Sequence, residues 1–372
     1  MEQLTSNARS AEALQPLACE DLDHVLAHTR ECWEELRGKT LFLTGGTGFF
    51  GHWLLETFAH ANDELGLGAQ VTVLSRDPAA FARKSPHLAA RADLRWLTGD
   101  VRNFAFPSGE FSHVIHAGTT SGAPVEPLEM FDTVVQGTRR ALEFAAAAGT
   151  RKFLFVSSGA VYGRQPPEMT HIAEDYTGAP NPLDPASAYG EGKRAAEHLC
   201  MLMSRQHGFE VKIARGFTFV GPHLPLDQHF AIGNFIRDAL AGGPIQVHGD
   251  GTPFRSYLYA ADLAVWLWTI LTNGASGRAY NVGSDGALSI AELADLVSAK
   301  LGGGCPVRIA QVAKLGQASA RYVPSVIRAR DELALRPLVQ LPEALHRLWQ
   351  WQVSHDSRWG TAQNFLIGEG KS

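Results

Sequence analysis

The chain has 372 residues, of which 45% are hydrophobic and 19% are charged. These proportions are typical of a soluble globular enzyme that is long enough for one large α/β domain with a smaller lobe. The formal net charge of −5 leaves no basic stripe to neutralise phosphates, so we expect no nucleic acid partner.

Neither the cysteines nor the apolar segments indicate export or membrane insertion. The four cysteines are scattered without the spacing of metal ligands, so we interpret them as reduced thiols. The N-terminus lacks the basic and apolar regions of a signal peptide, and no apolar run is long enough to span a bilayer. The sequence therefore predicts a cytoplasmic protein with no membrane partner.

The N-terminal extension, residues 1–38, contains a loose tail followed by a helix. Apolar residues recur at helical spacing over 20–37, which predicts a helix packed on the core or on a partner subunit. His24 and His28 lie one turn apart on that helix and could hold a metal, but no third ligand lies nearby. We expect a packed or solvated pair and no metal site.

From Lys39 the sequence alternates between short apolar strands and helices. We predict strands at 39–44, 70–75, 94–101, 113–117, 152–158 and 210–215, with helices at 49–61, 126–148 and 188–206. This alternation is typical of a doubly wound parallel sheet, the Rossmann type of α/β fold, here spanning 39–216.

Beyond Gly216 the pattern loosens, because prolines interrupt short segments. Helices are predicted at 228–241, 260–272, 289–301 and 341–351. We expect residues 217–372 to form mainly a smaller C-terminal lobe that covers the substrate.

The stretch TGGTGFFG places Gly45, Gly48 and Gly51 between the first strand and the first helix after it. Glycine permits the tight turn and the close approach of backbone to a pyrophosphate, while the helix N-terminus directs free N–H groups at the anion. This context predicts a dinucleotide-binding turn.

The end of the second strand bears on the choice of dinucleotide. An acidic residue there would bind the ribose hydroxyls of NAD, whereas an arginine would accommodate the 2′-phosphate of NADP. The chain has Ser75 and Arg76 at this place, and Asp77 one position later. Arg76 favours NADP as the cofactor, while Asp77 keeps NAD open.

Tyr189 and Lys193 lie one helical turn apart in YGEGK, on the same helix face. A lysine ammonium close by, together with the positive charge of the nicotinamide, stabilises the phenolate, so we expect a lowered tyrosine pKa and a role as a general base. Ser158 ends the preceding strand, and ligands bind at this end of the strands in open parallel sheets. We predict that it hydrogen-bonds the substrate hydroxyl from which the tyrosine takes the proton.

Together these motifs resemble the extended short-chain dehydrogenases/reductases, in the group of nucleotide-sugar epimerases and dehydratases. The resemblance runs from about Lys39 to about Trp351 and includes GDVRN, VIHAG, SSGAVYG, VGP, GDGTPFRSY, YNVGS and RYVPS. It implies a nucleotide-diphosphate sugar as the substrate and catalysis by Ser158, Tyr189 and Lys193. It also implies a homodimer formed through the helices at 126–148 and 188–206.

The resemblance further implies the binding residues. Substrate contacts fall on Ser158, Gly159, Asn234 and Arg255, with Arg255 suited to clamp a diphosphate. Cofactor contacts fall on Gly45, Thr47, Gly48, Phe49, Phe50, Gly51, Ser75, Arg76, Asp100, Val101, His116, Ala117, Tyr189 and Lys193.

Two departures from the family pattern matter. Val134 stands where the family usually has an asparagine, three residues before the glycine of the GT motif. Gly159 and Ala160 follow Ser158, where 4,6-dehydratases carry an Asp-Glu pair and decarboxylases tend to carry a glutamate. Neither residue has a group that can transfer a proton, so dehydration is disfavoured. We expect the small size of both residues to leave room for a sugar to rotate.

Two reactions remain that need only the serine, the tyrosine, the lysine and the cofactor. The first is epimerisation at C4 through a keto sugar, which we favour. The second is reduction of a 4-keto sugar by NADPH, which Arg76 favours. A non-catalytic dinucleotide sensor stays open as a third hypothesis, although such proteins generally lose the tyrosine or the lysine. The sequence does not identify the nucleotide or the sugar.

Overall fold

The computed structural model describes residues 13–118, 125–226, 230–314, 316 and 318–355. Its strands are β1 (Thr40–Thr44), β2 (Gln70–Ser75), β3 (Leu94–Thr98), β4 (His113–His116), β5 (Lys152–Ser158), β6 (Glu210–Gly216), β7 (Phe219–Val220), β8 (Ile245–Val247), β9 (Phe254–Arg255), β10 (Leu258–Tyr259), β11 (Arg278–Val282), β12 (Leu288–Ser289), β13 (Val307–Ile309) and β14 (Arg321–Tyr322). Its helices are α1 (Cys19–Leu36), α2 (Phe49–Leu65), α3 (Pro78–Lys84), α4 (Pro86–Ala89), α5 (Pro127–Ala147), α6 (Ala188–His207), α7 (Ala231–Leu240), α8 (Ala260–Asn273), α9 (Ile290–Leu301), α10 (Ile327–Leu333) and α11 (Leu341–His355).

A parallel sheet of seven strands forms the centre of the molecule. Its strand order is β11-β6-β5-β4-β1-β2-β3, and every neighbouring pair in it is parallel. Strands β1, β4 and β5 are almost entirely buried, as expected of strands covered by helices on both faces. The predicted Rossmann-type α/β fold is confirmed.

The predicted strands and helices agree with the observed elements to within a few residues at most ends. The largest differences are at the C-terminal ends of α2 and α11, which extend four residues beyond the predicted 61 and 351. Strand β3 ends three residues before the predicted 101, and the helix predicted at 228–241 begins at Ala231. Residues 227–229 lie outside the described part of the chain. We did not predict β11, which crosses from the C-terminal segment to pair with β6.

Helix α8 explains why the N-terminal extension is present. Its residues are buried from Ala260 to Thr272, a pattern typical of a helix covered on all sides. Helix α1 supplies part of that cover, because the Trp33 and Trp268 rings lie 4.7 Å apart and His24 Nε2 lies 3.0 Å from Asp262 Oδ1. Of the two predicted locations for this helix, the structure therefore gives the core.

The C-terminal segment forms short sheets beside the carboxyl end of the main sheet. Strand β9 pairs antiparallel with β12 and parallel with β14, while β8 pairs with β13 and β7 with β10. Among the described helices, none is long and apolar enough to cross a membrane.

Candidate active site

The glycine turn between β1 and α2 forms a cradle that side chains would fill. Gly45 has a φ of +77°, and a Cβ atom there would lie 2.6 Å from the Ala117 backbone. A Cβ on Gly51 would lie 2.2 Å from the Gly46 carbonyl carbon, whereas one on Gly48 would meet only the Gly45 oxygen, at 3.6 Å. No side chain caps the start of α2, so its first amides are available to an anion such as a pyrophosphate. These features fit a dinucleotide.

The end of β2 leaves Arg76 exposed to solvent. The Asp77 side chain is turned toward α3, where its Oδ1 accepts a hydrogen bond from the Ala80 amide at 2.8 Å. The Ser75 hydroxyl accepts from the Asp77 amide at 3.2 Å. Both residues are exposed, but the Asp77 carboxylate serves as the N-cap of a helix.

The other predicted cofactor contacts lie at the carboxyl ends of β3 and β4. Asp100 is held by Arg102, whose hydrogen bond is the main reason that the pKa of Asp100 is lowered. Val101 packs against Gly137, because a Cβ atom on that glycine would lie 2.8 Å from the Val101 side chain. Thr47, Phe49, Phe50 and Ala117 lie on the glycine turn and the adjoining ends of α2 and β4.

His116 serves as a link between elements. Its Nδ1 lies 2.6 Å from Thr44 Oγ1 and its Nε2 lies 3.0 Å from Thr138 Oγ1, which joins β4 to β1 and α5. Burial, with a smaller effect of the Lys193 charge, lowers the pKa of His116 to about 3. The imidazole is therefore neutral, and a cofactor contact from this residue would be made by its backbone.

Ser158 and Tyr189 meet at the carboxyl end of β5. The Ser158 hydroxyl accepts from the Ala160 amide at 3.1 Å. Burial raises the pKa of Tyr189, and the neighbouring Ser158 hydroxyl acts against that rise. The lowered pKa that we expect for this tyrosine depends on the positive charge of a bound nicotinamide, so it stays a prediction.

Lys193 lies one turn further along α6. Its Nζ donates to the Val156 carbonyl at 2.8 Å and lies 5.8 Å from the centre of the Tyr189 ring. Burial lowers the pKa of Lys193 to about 7, while the Glu197 carboxylate acts in the opposite direction. A lowered lysine pKa leaves less positive charge beside the tyrosine.

A buried polar network that we did not predict supports this region. Glu197 accepts from Ser157 Oγ at 2.6 Å and pairs with Arg215 at 2.7 Å. Arg215 also donates to the Tyr162 hydroxyl at 2.8 Å. The spacing of Tyr189, Lys193 and Glu197, four residues apart on one helix face, is the sequence signal that could have revealed the network.

The space beside Gly159 is filled. A Cβ on Gly159 would lie 2.7 Å from the Tyr322 hydroxyl oxygen and 2.8 Å from the Phe217 ring. Our expectation that small residues at 159 and 160 leave room for a rotating sugar is therefore wrong at position 159. Tyr322 comes from β14 and was missed, since RYVPS was noted only as part of the family resemblance.

Val134 also has a packing role. It is buried, and a Cβ on Gly192 would lie 3.3 Å from the Val134 Cβ. The place of the family's asparagine is thus an apolar contact between α5 and α6.

Arg255 is brought to the same region by the small sheet. It lies directly opposite Tyr322 in the β9–β14 pair, with its guanidinium carbon 5.9 Å from the centre of that ring. No ion pair to Arg255 occurs among the described residues, although its Nη1 donates to the Phe254 carbonyl. Asn234 lies on α7, where its Oδ1 accepts from Arg237 at 2.9 Å.

Within the described ranges, no group of three or more His, Cys, Asp or Glu side chains is arranged to hold a metal ion. His24 contacts Asp262 as described, and His28 Nδ1 lies 2.8 Å from the His24 carbonyl oxygen.

Comparisons with known proteins place the chain. The model of the NAD dependent epimerase/dehydratase family matches residues 41–283. UDP-glucuronic acid decarboxylase 6 of Arabidopsis thaliana is 34% identical over 82% of this chain and 86% of its own. The structure of MoeE5 in complex with UDP-glucuronic acid and NAD is 26% identical, with a TM-score of 0.66 over 85% of this chain and 99% of its own.

A second structure, UDP-glucose 4-epimerase of Thermotoga maritima with UDP-glucose, is 19% identical, with a TM-score of 0.69 over 85% of this chain and 99% of its own. At that identity it supports the fold alone. The family match covers well over half of the chain and includes the glycine turn, Ser158, Tyr189 and Lys193. The chain belongs to the NAD-dependent epimerase/dehydratase family of nucleotide-sugar modifying enzymes.

Proposed function

We propose that this enzyme inverts a nucleotide-diphosphate sugar at C4 through a keto-sugar intermediate. The observation that carries the proposal is the environment of Ser158. Tyr189 meets the serine, while the following positions, Gly159 and Ala160, offer no carboxylate. The space at 159 is occupied by the Tyr322 hydroxyl and the Phe217 ring. A dehydratase needs an acid and a base at this place.

The chain's own residues have defined tasks in this reaction. Tyr189 takes the proton of the C4 hydroxyl and later returns it, and Ser158 hydrogen-bonds the same oxygen. Lys193, when it is protonated, supplies positive charge beside the tyrosine. The bound dinucleotide supplies the hydride acceptor and donor. Because burial raises the pKa of Tyr189, we expect turnover to increase with pH above neutrality until the phenolate forms.

The cofactor is held by the glycine turn and the strand ends described above. The family is NAD-dependent, and our preference for NADP over NAD rests on the exposed Arg76 and on Asp77 being used as a helix cap. A guanidinium at this place can form charge-assisted hydrogen bonds to a 2′-phosphate.

We propose a UDP-sugar as the substrate, with the diphosphate held by Arg255 and Asn234. The decarboxylase relative of Arabidopsis thaliana and the MoeE5 complex both have UDP-glucuronic acid in their names, so this compound is the first to test. Arg255 supports the assignment because no carboxylate among the described residues forms an ion pair with it. Its positive charge lies beside Tyr322.

Decarboxylation of UDP-glucuronic acid is the second candidate, favoured by the 34% identical relative. Oxidation at C4 makes the C5 carboxylate part of a β-keto acid, which loses CO₂ without a base. The missing glutamate after Ser158 argues against this reaction, because later protonation at C5 needs a placed acid.

We further propose a homodimer through α5 and α6. These helices pack side by side and expose Leu128 and Leu202 to solvent. Sedimentation of the wild type and of Leu202→Glu tests this, since a buried charge would shift the dimer toward monomer.

The function is tested by incubating the enzyme with UDP-glucose and with UDP-glucuronic acid, and identifying the products by mass and by proton NMR. A product of equal mass with inverted C4 supports the proposal, whereas loss of one CO₂ would establish the decarboxylase. Tyr189→Phe is the inactive comparison, and Tyr176→Phe is the control tyrosine.

The dinucleotide released on denaturation separates epimerase from reductase. Stoichiometric oxidised cofactor indicates one that is recycled in place. A protein that is isolated empty and consumes NADPH with a 4-keto sugar would be a reductase. Tight dinucleotide binding with no turnover on any of these substrates would instead support a sensor.

A further inference from the structure

We propose that Glu197 is a positioning residue that fixes α6, which carries Tyr189, against the carboxyl end of β5, which carries Ser158. Its partners are Ser157 on β5 and Arg215 on β6. Glu197 and these two partners are called the carboxylate anchor below. This inference deepens the proposed function and rests on it for the roles of Tyr189 and Ser158.

The carboxylate anchor joins three elements at one point. Ser157 and Arg215 are directly paired in the register of β5 and β6, so their side chains lie on the same face of the sheet. Ser157 Oγ donates to Glu197 Oε1 at 2.6 Å, and Arg215 Nη2 donates to Glu197 Oε2 at 2.7 Å. One carboxylate of α6 therefore bridges two paired strand residues and fixes where the helix crosses the sheet.

The anchor is held in one geometry from outside α6. Glu197 is buried, and its pair with Arg215 is bidentate, since Arg215 Nε also donates to Glu197 Oε1 at 3.0 Å. Bidentate pairs are strong and geometrically specific. Arg215 Nη1 donates to the Tyr162 hydroxyl at 2.8 Å and to the Glu174 carbonyl at 3.2 Å, while Tyr162 donates to Asn281 Oδ1 at 2.7 Å. The place of the guanidinium is thus set by the neighbouring strands and loops, and the carboxylate follows it.

The catalytic groups of α6 lie on the same face of the helix as the anchor. Tyr189, Lys193 and Glu197 are four residues apart, which places them above one another. Lys193 Nζ donates to the carbonyl of Val156 at 2.8 Å, and the next residue of β5 belongs to the anchor. Helix α6 is therefore attached to two consecutive residues at the end of β5, and the residue after them is Ser158.

This attachment sets the rotation of α6 about its own axis. Tyr189 lies two turns from Glu197, so a rotation of the helix would move the tyrosine hydroxyl relative to Ser158. The contact of α6 with α5 is apolar where Val134 packs against Gly192, and apolar contacts are non-directional. Because an error of about 1 Å in placement can cost about 100-fold in rate, we expect the anchor to matter for turnover.

The first test is Ser157→Ala, which removes the link from β5 to the carboxylate and keeps the ion pair. We expect kcat to fall about tenfold and KM to change less than about twofold, because a misplaced tyrosine slows the chemical step and not binding. Ser298→Ala is the matched control, since this buried serine on α9 also donates one hydrogen bond at 2.6 Å, to the Cys305 carbonyl. The control should keep full turnover. A wild-type kcat in Ser157→Ala, or an equal loss in the control, overturns the proposal.

A double variant guards against misfolding caused by an unpaired charge. Glu197→Gln alone leaves the buried guanidinium of Arg215 without its carboxylate, which destabilises the fold. Glu197→Gln/Arg215→Met removes both charges, so its urea unfolding should return toward that of the wild type, while kcat stays about tenfold lower. Turnover that recovers together with stability would show that the pair acts on the fold alone, and it would overturn the positioning role.

Crystallography separates this inference from the proposed function. Structures of the wild type and of Ser157→Ala, each loaded with oxidised NADP, give the place of the Tyr189 hydroxyl relative to Ser158 whatever reaction the enzyme performs. A displacement of about 0.5 Å or more, the tolerance of a catalytic geometry, supports the inference even if no epimerase activity is found. An unmoved tyrosine overturns it even if the activity is confirmed.

Discussion

Two buried polar regions of this molecule contain titratable groups in close contact, and they have opposite designs. The hydroxyl cluster of Ser158, Tyr189 and Tyr322 is uncharged and lies at the carboxyl end of the central sheet. The second region, the histidine cluster, consists of His52, His87, His223 and Glu56 around α2. Its central group is the charged carboxylate of Glu56. It lies where the N-terminal extension and the C-terminal segment contact the core.

The contacts of the histidine cluster are those of a structural joint. Glu56 accepts from the Leu17 amide at 2.7 Å, with His87 Nε2 at 3.3 Å and His223 Nε2 at 3.5 Å from its other oxygen. Burial alone would raise the pKa of Glu56, but His223, His87 and the amide outweigh it and lower the pKa to about 2. His223 in turn stacks on His52 and contacts Trp351.

This difference shows which buried groups can take part in chemistry. The carboxylate of Glu56 is held in one protonation state by its neighbours, so it stabilises without exchanging protons. The raised pKa of Tyr189 leaves a proton that a bound cation can release. The comparison therefore predicts that substitutions in the hydroxyl cluster reduce turnover, while those in the histidine cluster reduce stability.

The largest effect is expected for Tyr189→Phe. Loss of the general acid and base should lower kcat by roughly 10³-fold, within the range for such groups, with the free energy of unfolding nearly unchanged. Steady-state kinetics and urea unfolding of the same preparation measure both. Activity equal to that of the wild type would remove Tyr189 from the mechanism and favour the sensor hypothesis.

Glu56→Gln should give the opposite pattern. The amide keeps an acceptor for Leu17 but removes the charge opposite His87 and His223, which should lower the free energy of unfolding by about 4 kcal/mol. Turnover of the folded enzyme should be retained. Glu64→Gln, on the exposed face of the same helix, is the control and should change little. Loss of turnover without loss of stability would show that the two regions are not separate.

Acid should weaken the histidine cluster before it affects the sheet. Burial, and then the charge of His223, lower the pKa of His52 to about 4 from an ordinary 6.5. Below pH 6.5 the unfolded chain binds a proton that the folded protein refuses until about pH 4. The free energy of unfolding is therefore not reduced by His52 above pH 6.5. Between pH 6.5 and pH 4, protonation of His52 in the unfolded chain lowers it by up to about 3 kcal/mol. His52→Gln should flatten that part of the profile in urea unfolding, and an unchanged slope would exclude His52 as its source.

Sequence reasoning named two members of the hydroxyl cluster, Ser158 and Tyr189, and did not find the histidine cluster, for physical reasons. The glycine turn, Ser158, Tyr189 and Lys193 follow local rules of spacing and strand ends, so they were found without knowing which elements touch. Glu56, His87 and His223 are far apart in the chain, and each has the appearance of an ordinary polar residue. Tyr322 was missed for the same reason, because its position depends on the pairing of β14 with β9.

The fold was similarly predictable where the hydrophobic period is strong. Long helices such as α5 and buried strands such as β5 have apolar patterns that identify their type. The two-residue strands of the C-terminal segment have no such pattern, since pairing with distant partners alone makes them strands. Strand β11 carries Asn281, whose buried side chain donates to the Ile172 carbonyl at 2.9 Å, and a polar residue in a short run hides a strand from pattern analysis.

The smallest expected effect concerns cofactor choice at the exposed edge of the sheet. Arg76→Ala should weaken NADP binding about tenfold and leave NAD binding unchanged, because it removes a charge-assisted contact to the 2′-phosphate alone. Since Arg76 is exposed, the effect should shrink as salt increases. Titration calorimetry with both dinucleotides at two salt concentrations measures it, and Arg83→Ala on α3 is the charge-matched control.

Equal NADP affinity in wild type and Arg76→Ala would return the preference to NAD. In that case Asp77 would have to leave the start of α3 to reach the ribose, so NAD binding should weaken in Asp77→Ala, and that variant should lose stability as well.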